Sequence, residues 1–107
     1  MSYRVLFLFL IFAFSAETFS AVVAAPKQKI VGLRVEGVAG LISFSVNPSD
    51  TECISRYWVD LREETEKVKF SVAMMAFSAG KDVNLRASPD SNKVFGACKL
   101  YDIYVYQ

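Results

Sequence analysis

The chain has 107 residues, 53% of them hydrophobic, with 12 basic side chains against 11 acidic ones for a formal net charge of +1. That length allows one domain, and so even a charge balance leaves no electrostatic footprint for nucleic acid and no polybasic membrane patch. Histidine is absent from the sequence, which excludes Ser-His and Cys-His nucleophilic pairs and imidazole metal ligands.

Arg4 precedes an unbroken apolar run from Val5 to Phe14. The run has the length of a signal-peptide core and falls well short of the roughly 20 residues a transmembrane helix needs. Small residues come next. Thr18 and Ser20 suit cleavage after Ser20, and Val22 and Ala24 suit cleavage after Ala24. Residues 1–24 are therefore read as a signal peptide and residues 25–107 as a single exported domain, periplasmic or secreted. No second apolar run of that length occurs, so the mature chain is expected to have no membrane span. Cys53 and Cys98 are the two cysteines. An even count behind a signal peptide implies a disulfide, and the lack of a CxxC spacing argues against a redox pair.

After a polar, Pro-containing lead-in from Ala25 to Lys29, residues 30–36 alternate as a strand with Leu33 and Val35 on one face. Gly37 to Gly40 reads as a turn. Leu41 to Val46 completes a hairpin, with Ile42, Phe44 and Val46 on one face. Asn47 to Glu52 has loop composition, and Tyr57 to Leu61 is a short third strand. From Arg62 to Ala79 the period changes to that of a helix, closed by Gly80. Leu61, Thr65, Val68, Val72, Met75, Ala76 and Ala79 form its expected core stripe. Asp60 and Glu63 mark its start. Val83 to Ala87 is a fourth strand, Ser88 to Asn92 a turn, and Leu100 to Tyr106 the last strand. In that strand Tyr101, Ile103 and Val105 alternate with Asp102, Tyr104 and Tyr106.

The order β-β-β-α-β-β is that of a mainly β fold with one helix, a five-stranded OB-fold-like Greek-key barrel. A β-grasp or open α+β sheet is the alternative that element order leaves standing.

The run Tyr57-Trp58-Val59-Asp60-Leu61, the Ala/Met-rich helix ending in Ala79-Gly80-Lys81, the strand around Val83 and Leu85, the lone Cys98 and the apolar closing strand together resemble a family. They are similar to small secreted bacterial OB-fold proteins related to the B subunits of AB5 toxins, of the subtilase-cytotoxin and pertussis-like type. The resemblance covers about half the precursor. It implies an OB-like fold, export, self-association into rings and glycan binding. The glycan pocket of that family has no matching segment here.

Several constellations bear on chemistry. Asp60, Glu63, Glu64 and Glu66 are close enough in sequence to suggest paired carboxylates. Their place at a helix start favours capping and dipole compensation instead. No phosphate-cradling glycine loop, calcium loop or zinc ligand set occurs, so no cofactor and no metal is expected. Phe70, Met74 and Phe77 form a second apolar stripe on the helix, either covered by the protein's own loops or forming an oligomer interface. Tyr57, Trp58, Tyr104 and Tyr106 lie on two strands whose rings, if exposed, would stack on a ligand. The sequence thus points to a non-catalytic binding or assembly module, not an enzyme, that self-associates and takes a glycan or protein partner. A monomeric periplasmic structural or inhibitory protein is the alternative.

The disulfide is open to direct test. Cys53→Ser and Cys98→Ser should each cost on the order of 2–5 kcal/mol in denaturant unfolding, and by the same amount. Unequal losses would mean that the two thiols are not bonded to each other.

Overall fold

A computed structural model describes residues 22–47, 53–89 and 91–107. The signal-peptide reading lies outside the described residues up to Ala21, as does most of the loop expected over Asn47 to Glu52. Among the described residues there are seven strands. They are β1 (Val23–Ala24), β2 (Gln28–Lys29), β3 (Gly32–Glu36), β4 (Ala39–Ser43), β5 (Arg56–Asp60), β6 (Asp82–Ser88) and β7 (Cys98–Val105). One helix, α1 (Glu64–Ala79), separates β5 from β6.

The strands form one mixed sheet in the order β1-β6-β7-β5-β4-β3, with β2 also on β6. Neighbours are antiparallel except β5 and β7, which run parallel over two residue pairs, Tyr57 with Cys98 and Trp58 with Lys99. The fold is therefore mainly β with one helix, as expected, and its architecture is the alternative, an open α+β sheet, rather than the five-stranded OB-like barrel. The polar lead-in is the reason. It does not stay a loop but supplies β2 to one edge of the sheet, beside β1 from Val23–Ala24 just ahead of it, in residues read as the end of the signal peptide, while the chain just after it supplies β3 to the other. Pro26 has no N–H to give a ladder, and β1 and β2 lie on either side of it. The Gln28 side chain spans part of the gap. Its Oε1 accepts the N–H groups of Ser45 and Val46 at 2.9 and 2.8 Å, and its Nε2 donates to the Val46 carbonyl at 2.9 Å.

The disulfide joins Cys53 to Cys98 with Cα atoms 5.4 Å apart, at the one parallel pairing. Both cysteines are buried in the main core with Ile42, Phe44, Tyr57, Val59, Phe70, Ala73, Ala76, Val83, Leu85 and Leu100. A second, smaller cluster lies elsewhere: Ala39, Leu41, Trp58 and Ala97, with Val94 against them. Trp58 Nε1 donates to the Asn92 carbonyl at 3.0 Å, which ties the segment before β7 over the indole.

The helix ends as its sequence dictates. Gly80 is left-handed at φ 65°, its N–H reaches Phe77 O, and Lys81 N–H reaches Ala76 O at 2.9 Å. Its start differs from expectation. Glu63 is the N-cap residue and makes no side-chain cap bond, while the Asp60 carboxylate is held by Arg62.

The helix is also turned about its axis relative to the expected stripe. Glu66, Phe70, Ala73 and Ala76 are buried, whereas Val68 and Met75 are exposed. Of the expected core stripe, Ala76 is the helical member that is buried. Phe70, expected in an oligomer interface, is instead a core residue, and Met74 and Phe77 are exposed at 43% and 44%. Two contacts set this rotation. Ala73 and Ala76 let the helix lie close to the sheet. Gly40 leaves room for the Phe70 ring, since a Cβ there would stand 2.7 Å from Phe70 Cδ1 and 3.0 Å from Val59 Cγ2.

Gly40→Ala should accordingly destabilise the fold. Replacing a strand glycine gains about 0.5–1 kcal/mol, and overpacking a filled core costs about 1–3 kcal/mol. A net loss of about 1–2 kcal/mol in urea unfolding is expected. A variant as stable as the parent would show that Phe70 is not packed on β4.

Candidate functional site

Strand β6 alternates inward Val83, Leu85 and Ala87 with Asn84 and Arg86, which stay partly or fully exposed. Its partner β7 would alternate in the same way but for a register shift between Arg86 and Ala87. Ala87 faces Leu100 and Arg86 faces Asp102, so Tyr101 is the extra residue of a β-bulge. The bulge changes which side chains reach solvent. Tyr101, expected to share a face with Ile103 and Val105, is 49% exposed. Tyr104 is 62% exposed, and Tyr106 is half-buried.

Asn84, Arg86, Asp102, Ile103, Tyr104 and Tyr106 line an open depression of about 540 Å³. Tyr104 and Tyr106 meet edge to face with centroids 4.8 Å apart. The Lys27 ammonium sits 4.3 Å from the Tyr106 centroid, and the Arg86 guanidinium 5.3 Å from that of Tyr101. Arg86 donates to both Asp102 oxygens, with Nε–Oδ1 at 2.8 Å. The hydrogen bond from Arg86 holds the Asp102 carboxyl below the usual carboxylate range, and Asp102 in turn pushes Arg86 up. The pair therefore stays ionised at neutral pH, which suits orientation of a polar ligand and not proton transfer. Asn84 Nδ2 donates to the Ala25 carbonyl at 2.8 Å, fixing the amide beside the depression.

Two of the four aromatic candidates are thus on this surface, Tyr104 and Tyr106. The other two are not. Tyr57 is fully buried with its ring edge-on to Phe44 at 4.7 Å, and burial pushes its hydroxyl up to about 12. Trp58 is 8% exposed beneath the segment around Asn92. The central position of β5 explains both, because that strand is paired on each side and covered on each face. Sequence reading put Tyr101 on the inward face and missed Asn84, Arg86, Asp102 and Lys27. The bulge hides Tyr101, and the cross-strand register that joins Arg86 to Asp102 has no local sequence signal.

The acidic cluster is a set of ion pairs. Asp60 accepts from Arg62 Nε and Nη2, both at 2.9 Å. Glu64 meets Lys67 at 3.1 Å, and the buried Glu66 meets Lys69 at 2.6 Å. Lys99 lies 3.7 Å from Glu66 and 4.0 Å from Glu63, so a β7 cation sits against the start of the helix. Among the described residues no group of three or more cysteines or carboxylates is gathered as a metal site would require.

The side-chain hydrogen bond from Arg62 lowers the Asp60 pKa from 3.8 to about 2. A carboxylate depressed in the folded state contributes stability above its unfolded pKa and loses it as pH falls through the folded one. The advantage of the parent over Asp60→Asn should therefore be full above about pH 5 and shrink toward about pH 2, measured as the urea midpoint at each pH. A gap of the same size at both ends of that range would contradict this origin. In comparisons with known proteins, no family model, no curated protein and no solved structure matches the chain.

Proposed function

We propose that this chain is an exported, non-catalytic binding module that recognises a carbohydrate on the outer face of β6 and β7. The observation that carries the reading is the exposed Tyr104, braced edge-on by Tyr106 at a depression rimmed by Arg86, Asp102 and Asn84. A braced ring offers its face to the C–H side of a sugar, and fixed charged and amide groups beside it suit hydroxyls. The ionised Arg86–Asp102 pair and the absence of histidine support binding over turnover. The strand order also supports a relationship to the OB arrangement. The strand before the helix runs parallel to the last strand, and we read the sheet as an opened form of that Greek key with its first strand divided into β1, β2 and β3.

A second reading, self-association through α1, draws on the exposure of Val68, Met74, Met75 and Phe77 on the helix. It would appear as a discrete multimer in light scattering.

The glycan reading is tested by screening the oxidised protein on a glycan array and titrating the best hit by calorimetry. Tyr104→Ala should weaken binding by about tenfold or more, the loss of one stacking contact of roughly 1–2 kcal/mol, with its melting temperature nearly unchanged. No array hit, or a hit that Tyr104→Ala binds equally well, would overturn the proposal.

A further inference from the structure

We propose that the exported chain is cut between Ser20 and Ala21, so that the mature protein keeps Val23 and Ala24 as a strand of its sheet. The inference rests on the export reading and chooses between two cuts that the small-residue pattern permits equally, after Ser20 and after Ala24. The scissile bond lies outside the described residues, and the pairing of residues 23–24 in the folded sheet favours the first.

Val23 and Ala24 pair antiparallel with Ala87 and Arg86. Ala25 is 1% exposed, its N–H donates to the Leu85 carbonyl at 2.8 Å, and its own carbonyl accepts from Asn84 Nδ2 at 2.8 Å. A cut after Ala24 would remove β1 and uncover the edge of β6 beside Arg86. It would also put a charged ammonium group in place of the neutral Ala25 amide that donates to the Leu85 carbonyl. A cut after Ser20 avoids both consequences. The new ammonium then lies ahead of Val22, which is 38% exposed, and every bond made by residues 23–25 survives.

The test is to express the full 107-residue chain with its own N-terminus in a bacterial host, then read the intact mass and N-terminal sequence of the exported protein. An N-terminus at Ala21 is expected. An N-terminus at Ala25 would overturn the proposal while leaving export intact. An exported chain that still begins at Met1 would likewise overturn the proposed cut, and a chain retained in the cytoplasm would overturn the export reading itself. Two variants sharpen the result, because signal cleavage needs a small uncharged residue before the cut. Ser20→Asp should abolish processing at Ala21, and Ala24→Asp should leave it unchanged. Normal processing of Ser20→Asp, or its loss in Ala24→Asp, would place the cut elsewhere.

Discussion

The parallel contact between β5 and β7 is the constraint on which the rest of the structure depends. It comprises two residue pairs, Tyr57 with Cys98 and Trp58 with Lys99. On one side of it lies the β3-β4-β5 meander, and on the other the β6-β7 hairpin with β1 and β2 on its edge. Parallel pairing is slightly weaker per residue than antiparallel pairing, and so short a ladder is a weak joint by itself. Three features reinforce it. The Cys53–Cys98 disulfide closes a separation of 45 residues across it, worth about 4 kcal/mol in the chain-entropy account. Helix α1 packs on both β5 and β7 through Phe70, Ala73 and Ala76. Lys99, at the joint, reaches Glu66 on the helix and lies 5.5 Å from the Trp58 ring centroid.

This joint determines which surfaces are left bare. Tyr57 and Trp58 sit in the middle of the sheet, one in the main core and the other under the Asn92 segment, so neither is available to a ligand. The longer β7 runs on beyond the joint with β6 as its partner, and the bulge at Tyr101 brings Tyr101 and Asp102 to solvent together. The proposed ligand face is a consequence of that geometry. Its polar rim is held from within, Asp102 by Arg86 and Asn84 by Ala25.

The sequence made the order of elements legible, along with the Gly80 helix stop and the disulfide, because each has a local signal: period, a glycine at positive φ, a pair of cysteines. The rotation of the helix was not legible. Val68, Val72 and Met75 make a continuous apolar stripe, and nothing local shows that Gly40 opens a place for Phe70 instead. Nor does anything local show that the Glu66 carboxylate is buried against Lys69 and Lys99. The lead-in from Ala25 to Lys29 looked like a loop because its strand, β2, is two residues long and Pro26 separates it from the equally short β1. The ligand face was half legible. Tyr104 and Tyr106 stood out by type, whereas Arg86, Asp102 and Tyr101 depend on a cross-strand register with a bulge in it.

The dependence on the joint is tested most directly by hydrogen exchange on oxidised and reduced protein under native conditions. Reduction should raise exchange at the amides of residues 57–59 and 98–100 at least as much as anywhere in the β3-β4 or β6-β7 pairs. Unchanged protection at residues 57–59 and 98–100 after reduction, or a loss confined to the outer strands, would contradict the central place given to this contact.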